Sequence, residues 1–337
     1  MTASIEDVAR RAGVSIATVS RSLRGLPDVA TATRDRVLKA ASELNYVASP
    51  FAARLASGRT GTVAVVVPFV NRWYFAQVLG AVENVLYSAG LDLLLYNLAD
   101  NPGRQRFFTL MPVRKRVDAV LIASLVLTDE EAGLLEQLNC PLGMLGVEQS
   151  GHLSTRIDDR HGADVATSHL LDLGHVRIGL VAGETDDPMR FTPPHHRRVG
   201  YLDALARAGI EYDPTLEKLG YFTIAGGEAA TRNLLAHPNP PTAIFAESDE
   251  MAYGAMRAVR RAGLRVPEDV AVIGFDDHES ADLMDLSTIR QPVVEQATNL
   301  TTRLLESIAD PTIAPVVEVL PTQLIVRGST DPRYSQY

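Results

Sequence analysis

Apolar side chains recur along this chain in two rhythms, and the change between them divides it. Over the first forty-five residues the spacing is helical. Ile5, Val8, Ala9 and Ala12 form one set, Ile16, Val19 and Leu23 a second, and Val37, Leu38, Ala41 and Leu44 a third. Sets spaced three or four apart predict three short amphipathic helices. Ser4, with Asp7 three residues later, is a capping-box pattern for the first. Gly13 supplies the backbone freedom that ends it, and Ser15 is placed to cap the second. Residues 31–45 read as the third helix, for which Ala30 cannot cap, leaving Asp28 or Thr31 to do so. From Thr62 the rhythm becomes short apolar runs alternating with helical stretches. The runs fall at 63–68, 91–96, 119–122, 141–146, 178–182, 243–246 and 270–274, the helices at about 74–89, 104–115, 162–173, 197–208 and 249–262. Fully apolar strands alternating with helices predict parallel sheets covered on both faces. Roughly 270 residues is large for one such sheet, so two lobes are expected.

Two short helices joined by a glycine-containing turn follow the plan of a helix-turn-helix. Its second helix enters the major groove and offers its first residues to base edges. Ile16, Ala17, Ser20 and Arg21 are the candidate readers, and Ser15 at the head of the helix is a further candidate DNA-binding residue. Arg21 can bond guanine O6 and N7, whereas Ile16 and Ala17 suit a thymine methyl; Thr18 is placed for a phosphate. Net charge sharpens this reading. The whole chain carries −9, yet residues 1–59 hold nine Arg and Lys against five acids, a local +4, which leaves −13 on the remainder. A basic head on an acidic body suits a phosphate-facing module attached to something else.

The wording of the first stretch is more specific than its pattern. Asp7-Val8-Ala9, Ala12-Gly13-Val14-Ser15 and Thr18-Val19-Ser20-Arg21 closely resemble the opening of the lactose-repressor (LacI/GalR) family of bacterial transcription regulators. The resemblance implies a small all-α helix-turn-helix headpiece at 1–47, a hinge helix and linker at 48–60, and a two-lobed, periplasmic-binding-protein-like α/β effector and dimerisation domain at 61–331. A tail at 332–337 follows. The first lobe would take about 61–160 and 292–321, the second 161–290 and 322–331, with crossovers near 159–162, 290–292 and 320–323. In the hinge, Ser49 and Pro50 suit a helix start, although the family commonly has Pro and Asn where Ala48 and Ser49 stand. So short a helix needs a partner to form. The resemblance places Ala52 and Leu55 in the minor groove, with Leu55 as the wedge that kinks the duplex.

Carried over residue by residue, the effector pocket takes Asn71, Tyr74 and Phe75 from the first lobe. From the second it takes Arg197, the stacking aromatic Phe222, Ser248 and Asp249 before a Met-Ala helix, and Asp276 as a hydroxyl acceptor. An aromatic platform with charged forks is good chemistry for a sugar. Two departures touch ligand identity. The family often has Asp at the strand end that here reads Met144-Leu145-Gly146, and the loop 186–194 is unusual. The implied protein is a homodimeric repressor of a pseudo-palindromic operator on double-stranded DNA, controlled by a small effector, foremost a sugar or sugar derivative. The alternatives are a purine or phosphoprotein co-effector, an activator, or, from other classes, a sugar-binding transport-type protein or a sugar-processing enzyme.

What the chain lacks narrows the field. No G-x-G-x-x-G follows a strand, and there is no P-loop or G-x-S-x-G elbow. His195-His196 lacks metal-ligand spacing, and the carboxylates select no acid–base pair. No cofactor, metal or catalytic residue is expected. No apolar run reaches 18 residues, no secretory signal is visible, and the single Cys140 fits a reducing compartment. A cytoplasmic protein without a membrane partner is therefore expected.

Overall fold

A computed structural model describes residues 3–23, 27–46 and 59–334. The chain divides into two compact units, one built on the N-terminal helices and one comprising nearly all of the rest. The first holds α1 (Ile5–Ala12), α2 (Ile16–Leu23) and α3 (Thr31–Glu43). Ser4 Oγ accepts the Asp7 amide while the Asp7 carboxylate accepts the Ser4 amide, so both arms of the capping box are present. Gly13 closes α1 in the left-handed conformation at φ 66°. Val8, Ala9, Val19, Val37, Ala40 and Ala41 are buried together. Leu38, which spacing groups with Val37, is instead 46% exposed, and Ala40 takes the inward position. Ala30 stands at the N-cap of α3 without a side-chain bond, and Asp28 turns to Arg21.

The second unit carries two six-stranded sheets. The strands of the first are β1 (Thr62–Val67), β2 (Asp92–Asn97), β3 (Ala119–Ala123), β4 (Leu142–Leu145), β5 (Leu153–Ile157) and β11 (Val317–Leu320), in the order β11-β5-β4-β3-β1-β2, all parallel. The second sheet has β6 (Ile178–Ala182), β7 (Glu217–Leu219), β8 (Ala243–Ala246), β9 (Ala271–Asp276), β10 (Ser287–Arg290) and β12 (Gln323–Ile325), in the order β12-β10-β9-β8-β6-β7, parallel except at β12. The chain passes from the first sheet to the second after Ile157, returns after Arg290, and crosses again between Leu320 and Gln323.

Helices cover both sheets. They are α4 (Trp73–Ser88), α5 (Asn101–Leu110), α6 (Asp129–Glu136), α7 (Asp159–Asp172), α8 (Pro193–Arg207), α9 (Ile224–Leu235), α10 (Asp249–Arg261) and α11 (Val293–Ala309). The first lobe's core joins β1, β3, α4 and α11 through Val65, Val78, Val82, Leu121 and Leu300. In the second, Phe245 and Phe275 on the sheet pack with Leu170 and Tyr201 from the helices. The helical pattern at 104–115 proves to be Asn101–Leu110. Asp100 caps it by accepting from the Gly103 amide, Pro102 sits in the first turn, and Met111 turns left-handed at φ 42° to end it.

Candidate nucleic-acid interface and ligand cavity

Within the headpiece, Val19 and Ser22 anchor α2 inward, while Ser15, Ile16, Ala17 and Arg21 are exposed and Thr18 and Ser20 half-buried. Ile16 leaves 47% of its surface open at the start of the helix, an apolar side chain the headpiece core does not use. Ser15 Oγ accepts the Thr18 amide at 3.2 Å and lies 2.9 Å from the Thr18 hydroxyl, so Ser15 is the cap. Arg21 Nε is 3.6 Å from Asp28 Oδ2, with both side chains more than half exposed. Such a pair is worth at most about 1 kcal/mol, and a better acceptor can take the guanidinium from it. Ala52 and Leu55 lie outside the described residues.

In doubly wound sheets, ligands bind beyond the carboxyl ends of the strands where the strand order reverses. Both sheets reverse at the strand that begins them, β1 and β6, and a cavity of about 220 Å³ lies where these two points face each other. The first lobe contributes Phe69 and Arg72 after β1, Tyr74 and Phe75 from α4, Ser124 after β3 and Gly146 after β4. The second contributes Glu184, Asp187 and Phe191 after β6, Arg197 from α8, and Tyr221 and Phe222 after β7. Ser248 and Glu250 at the start of α10, Asp276 at the end of β9, and Gln291 complete it. Phe191 is the hub of an aromatic wall, 6.2 Å from Phe69 and 5.5 Å from Phe222 between ring centres.

Direct contacts join the lobes around this cavity. Arg72 Nη2 donates to the Tyr221 carbonyl at 3.3 Å, and the Trp73 and His278 rings lie 4.9 Å apart. The loop after β6 docks on the first lobe: Leu125 and Phe191 form an antiparallel bridge, and the Val126 amide donates to the Arg190 carbonyl. Arg104 on α5, 3% exposed, donates to the Met189 and Val126 carbonyls while paired with Glu131.

Residues 4–49 match the description "Bacterial regulatory proteins, lacI family", and residues 167–330 match "Periplasmic binding protein-like domain". Over 333 residues the chain is 34% identical to the HTH-type transcriptional repressor CytR of Escherichia coli (strain K12), covering 97% of this chain and 96% of that protein. The chain belongs to the lacI family of bacterial regulatory proteins. Among solved structures, a CelR–cellobiose complex matches with a TM-score of 0.72 at 34% identity, covering 97% of this chain and 99% of that one. A lac repressor dimer bound to operator and the anti-inducer ONPF matches with a TM-score of 0.86 at 28% identity, covering 98% and 99%. As a lacI-family member the chain is a DNA-binding transcription regulator built of a helix-turn-helix headpiece and a two-lobed α/β body.

Of the residues this family resemblance places at the effector site, Tyr74, Phe75, Arg197, Phe222, Ser248 and Asp276 line the cavity, whereas Asn71 and Asp249 do not. Asn71 is exposed in the loop before α4. Asp249 is fully buried behind the site: its Oδ1 accepts the Thr288 hydroxyl at 2.6 Å and its Oδ2 the His278 amide at 2.7 Å. It ties β10 and the 277–280 loop to α10, while Ser248 caps that helix through the Met251 amide. Burial pushes the Asp249 carboxyl up to about 7 against these two donors. The residues that sequence reasoning missed sit mostly on loops. Phe69, Arg72, Ser124, Phe191 and Tyr221 belong to no periodic pattern, and only the odd composition of 186–194 signalled one of them.

Arg197 organises the floor. It is 5% exposed, its Nε lies 2.8 Å from Asp159 Oδ1, its Nη1 donates to the Glu247 carbonyl, and Asp276 Oδ1 is 3.7 Å away. Its guanidinium carbon sits 3.7 Å from the centre of the Phe275 ring. Asp276 also accepts Gln291 Nε2 at 2.6 Å. Burial raises the Asp276 carboxyl well above its ordinary range, with Arg197 pulling the other way. Burial likewise raises the Tyr74 phenol, so it remains a neutral hydroxyl beside Ser124. The cavity therefore offers hydroxyl-binding groups held in place before a ligand arrives. Among the described residues no cluster of His, Cys, Asp or Glu could hold a metal ion, and no helix is long and apolar enough to cross a membrane.

Proposed function

We propose that this regulator is a repressor that binds a pseudo-palindromic operator as a homodimer, and that an unphosphorylated sugar in the interlobe cavity sets its affinity for DNA. The observation that carries the ligand class is the cavity's two-sided chemistry. Phe69, Phe75, Phe191 and Phe222 offer faces and edges to C–H groups, and Asp159, Asp276, Gln291 and Ser124 lie among them as hydroxyl partners. Five carboxylates, Asp159, Glu184, Asp187, Glu250 and Asp276, line the cavity against Arg72 and Arg197, and Arg197 is already committed to Asp159 and Glu247. A phosphate would meet a lining with more carboxylates than cations, Arg197 already engaged and only Arg72, bonded to the Tyr221 carbonyl, left to grip it. The solved complex of the similar CelR with cellobiose supports a sugar, and the operator-bound lac repressor dimer supports dimeric DNA binding.

Readout uses Ile16, Ala17, Ser20 and Arg21, with Thr18 on phosphate. The first-lobe dimer face lies in the stretch 70–115, a reading supported by the exposure of Tyr87, Leu95 and Leu110. Ligand that favours the closed lobes shifts that face and, through it, the headpieces, provided it binds the two states unequally. The protein acts in the cytoplasm and turns over nothing it binds. The test is selection of bound duplexes from a random library by the purified full chain. Enrichment of inverted half-sites, loss of a guanine preference in Arg21→Ala, and a change in affinity with an added sugar are the expected results. Absence of any enriched inverted site overturns the reading.

A further inference from the structure

Arg114-Lys115-Arg116 is the one place in the chain where three cations stand in a row. All three are exposed, on a body that otherwise carries an excess of acid. They belong to a turn between α5 and β3 whose backbone is held at several points. The Met111 carbonyl accepts the Arg114 amide at 3.0 Å, the Tyr96 hydroxyl donates to the Pro112 carbonyl at 3.1 Å, and Val113 is fully buried. Lys115 takes the left-handed conformation at φ 59°. The turn leads to Asp118, whose carboxylate receives the end of the linker. Its Oδ1 accepts the Thr60 amide at 2.7 Å and the Thr60 hydroxyl at 3.0 Å, and its Oδ2 accepts the Gly61 amide at 2.7 Å. β1 and β3 run parallel side by side, with Val63 against Ala119. The linker therefore enters β1 next to the point where the turn enters β3, at the opposite end of the strands from the ligand cavity. The compact unit built on the N-terminal helices includes Lys115–Asp118.

We infer that this turn is a DNA contact of the body itself, beyond the headpiece and the hinge, in which Arg114 and Lys115 of each protomer hold backbone phosphates of the operator. An arginine fork and a lysine point charge are the usual holders of phosphate oxygens. Chain length brings the duplex within reach. Leu55, placed in the minor groove by the family resemblance, stands five residues before Thr60, and five residues span at most about 18 Å. A duplex gripped at Leu55 therefore lies close to a turn tied to Thr60 through Asp118. Because the backbone of the turn is already held, little freedom is lost on binding. An acidic protein could meet the same cations, but nothing brings one to this end of the sheet, whereas the linker brings DNA. Phosphates carry no sequence information, so the turn adds affinity and salt dependence, not base choice. This inference rests on the operator-binding reading above, and the experiment separates the two.

The full chain is titrated, over a series of KCl concentrations, against a fluorescent duplex bearing the inverted site enriched in the selection above and against a scrambled duplex of equal length. The variant is Arg114→Gln/Lys115→Asn, in which Asn suits the left-handed backbone at 115. If every cation removed from the dimer holds a phosphate, the log–log salt slope becomes shallower by about 3–4. Affinity at about 0.1 M salt should fall about tenfold or more on both duplexes, leaving the preference between them intact. Each single substitution should take about half of the change in slope. Arg232→Gln, an exposed arginine on α9 of the second lobe, controls for net charge and should leave the slope as it is. A double variant with the wild-type slope, a change no larger than that of Arg232→Gln, or a loss confined to the inverted site overturns the phosphate contact while leaving operator binding in place. A wild-type chain that prefers no inverted site overturns the operator reading, and the part of the turn in it.

Discussion

Replacing Arg197 with Ala tests the cavity floor, proposed above as a binding site, as a strut as well, because its contacts hold the floor together. The substitution strips the cation from Asp159 at 2.8 Å and Asp276 at 3.7 Å, leaves the Glu247 carbonyl without its donor, and removes a guanidinium packed 3.7 Å from the Phe275 ring centre. Breaking a buried pair from one side costs about 3–5 kcal/mol, because an uncompensated charge stays behind. That is a large share of the roughly 5–15 kcal/mol that holds a domain folded. The loss should depend on pH. Burial already raises the Asp276 carboxyl, and Arg197 opposes that rise, so its removal raises the carboxyl further. A carboxyl raised on folding binds a proton that the unfolded chain releases; this favours folding at low pH and is lost as pH rises through the folded value. Urea unfolding followed by the fluorescence of Trp73, the one tryptophan, should show the full loss at pH 7.5 and a smaller one at pH 5.5. Operator binding by the folded variant should persist without ligand response. A loss below about 1 kcal/mol, or one equal at both pH values, would falsify this account of the floor.

Two further substitutions probe separate parts of the chain. Ser4→Ala removes the hydroxyl arm of the capping box, the bond from the Asp7 amide, on an eight-residue helix while leaving the Ser4 amide on the Asp7 carboxylate, which should cost about 1 kcal/mol; faster amide exchange along α1 and weaker operator binding check it, and unchanged exchange counts against it. Glu247 is fully buried, with Oε2 on the Gly183 amide at 2.7 Å and Oε1 unpartnered, and burial holds its carboxyl well above the ordinary range. Its protonation therefore supports folding at low pH and is lost as pH climbs from about 4.3 through the raised value. Glu247→Gln should flatten the decline of the urea midpoint between pH 5 and 8, and parallel profiles for the two proteins would show that Glu247 does not titrate there.

What the sequence made legible follows the physics of periodicity. Strands buried on both faces, such as Val63–Val67 and Ala119–Ala123, announce themselves because every residue must be apolar. The strands that went unread are those whose faces differ or that lie at a sheet edge. β7 reads Glu217-Lys218-Leu219, and β11 exposes Val317 and Val319 at the rim of its sheet, so neither shows an apolar run. α11 was hidden for another reason: its Thr298, Thr301 and Thr302 and its β-branched start lower helical propensity. Only burial of Val293, Ala297, Leu300 and Leu304 against the first sheet decides it. Where the end of a helix depends on one backbone angle, as at Met111, periodicity has nothing to detect.

The cavity divides the same way. Arg197, Asp276 and Phe222 sit beside recognisable elements, and their neighbours in sequence place them. Asp249 shows the limit of that reasoning, because adjacency to Ser248 does not specify which way a side chain at a helix start will turn. Gly274 settles the matter: a Cβ there would stand 2.1 Å from Asp249 Oδ1. The glycine of β9, a central strand of its sheet, thus leaves room for the carboxylate to lie against the strand, where Thr288 and the His278 amide receive it. A residue expected to hold the ligand instead fixes the loop that follows Asp276. Replacing Gly274 would therefore disturb Asp276, the proposed hydroxyl acceptor, by evicting Asp249 from behind it.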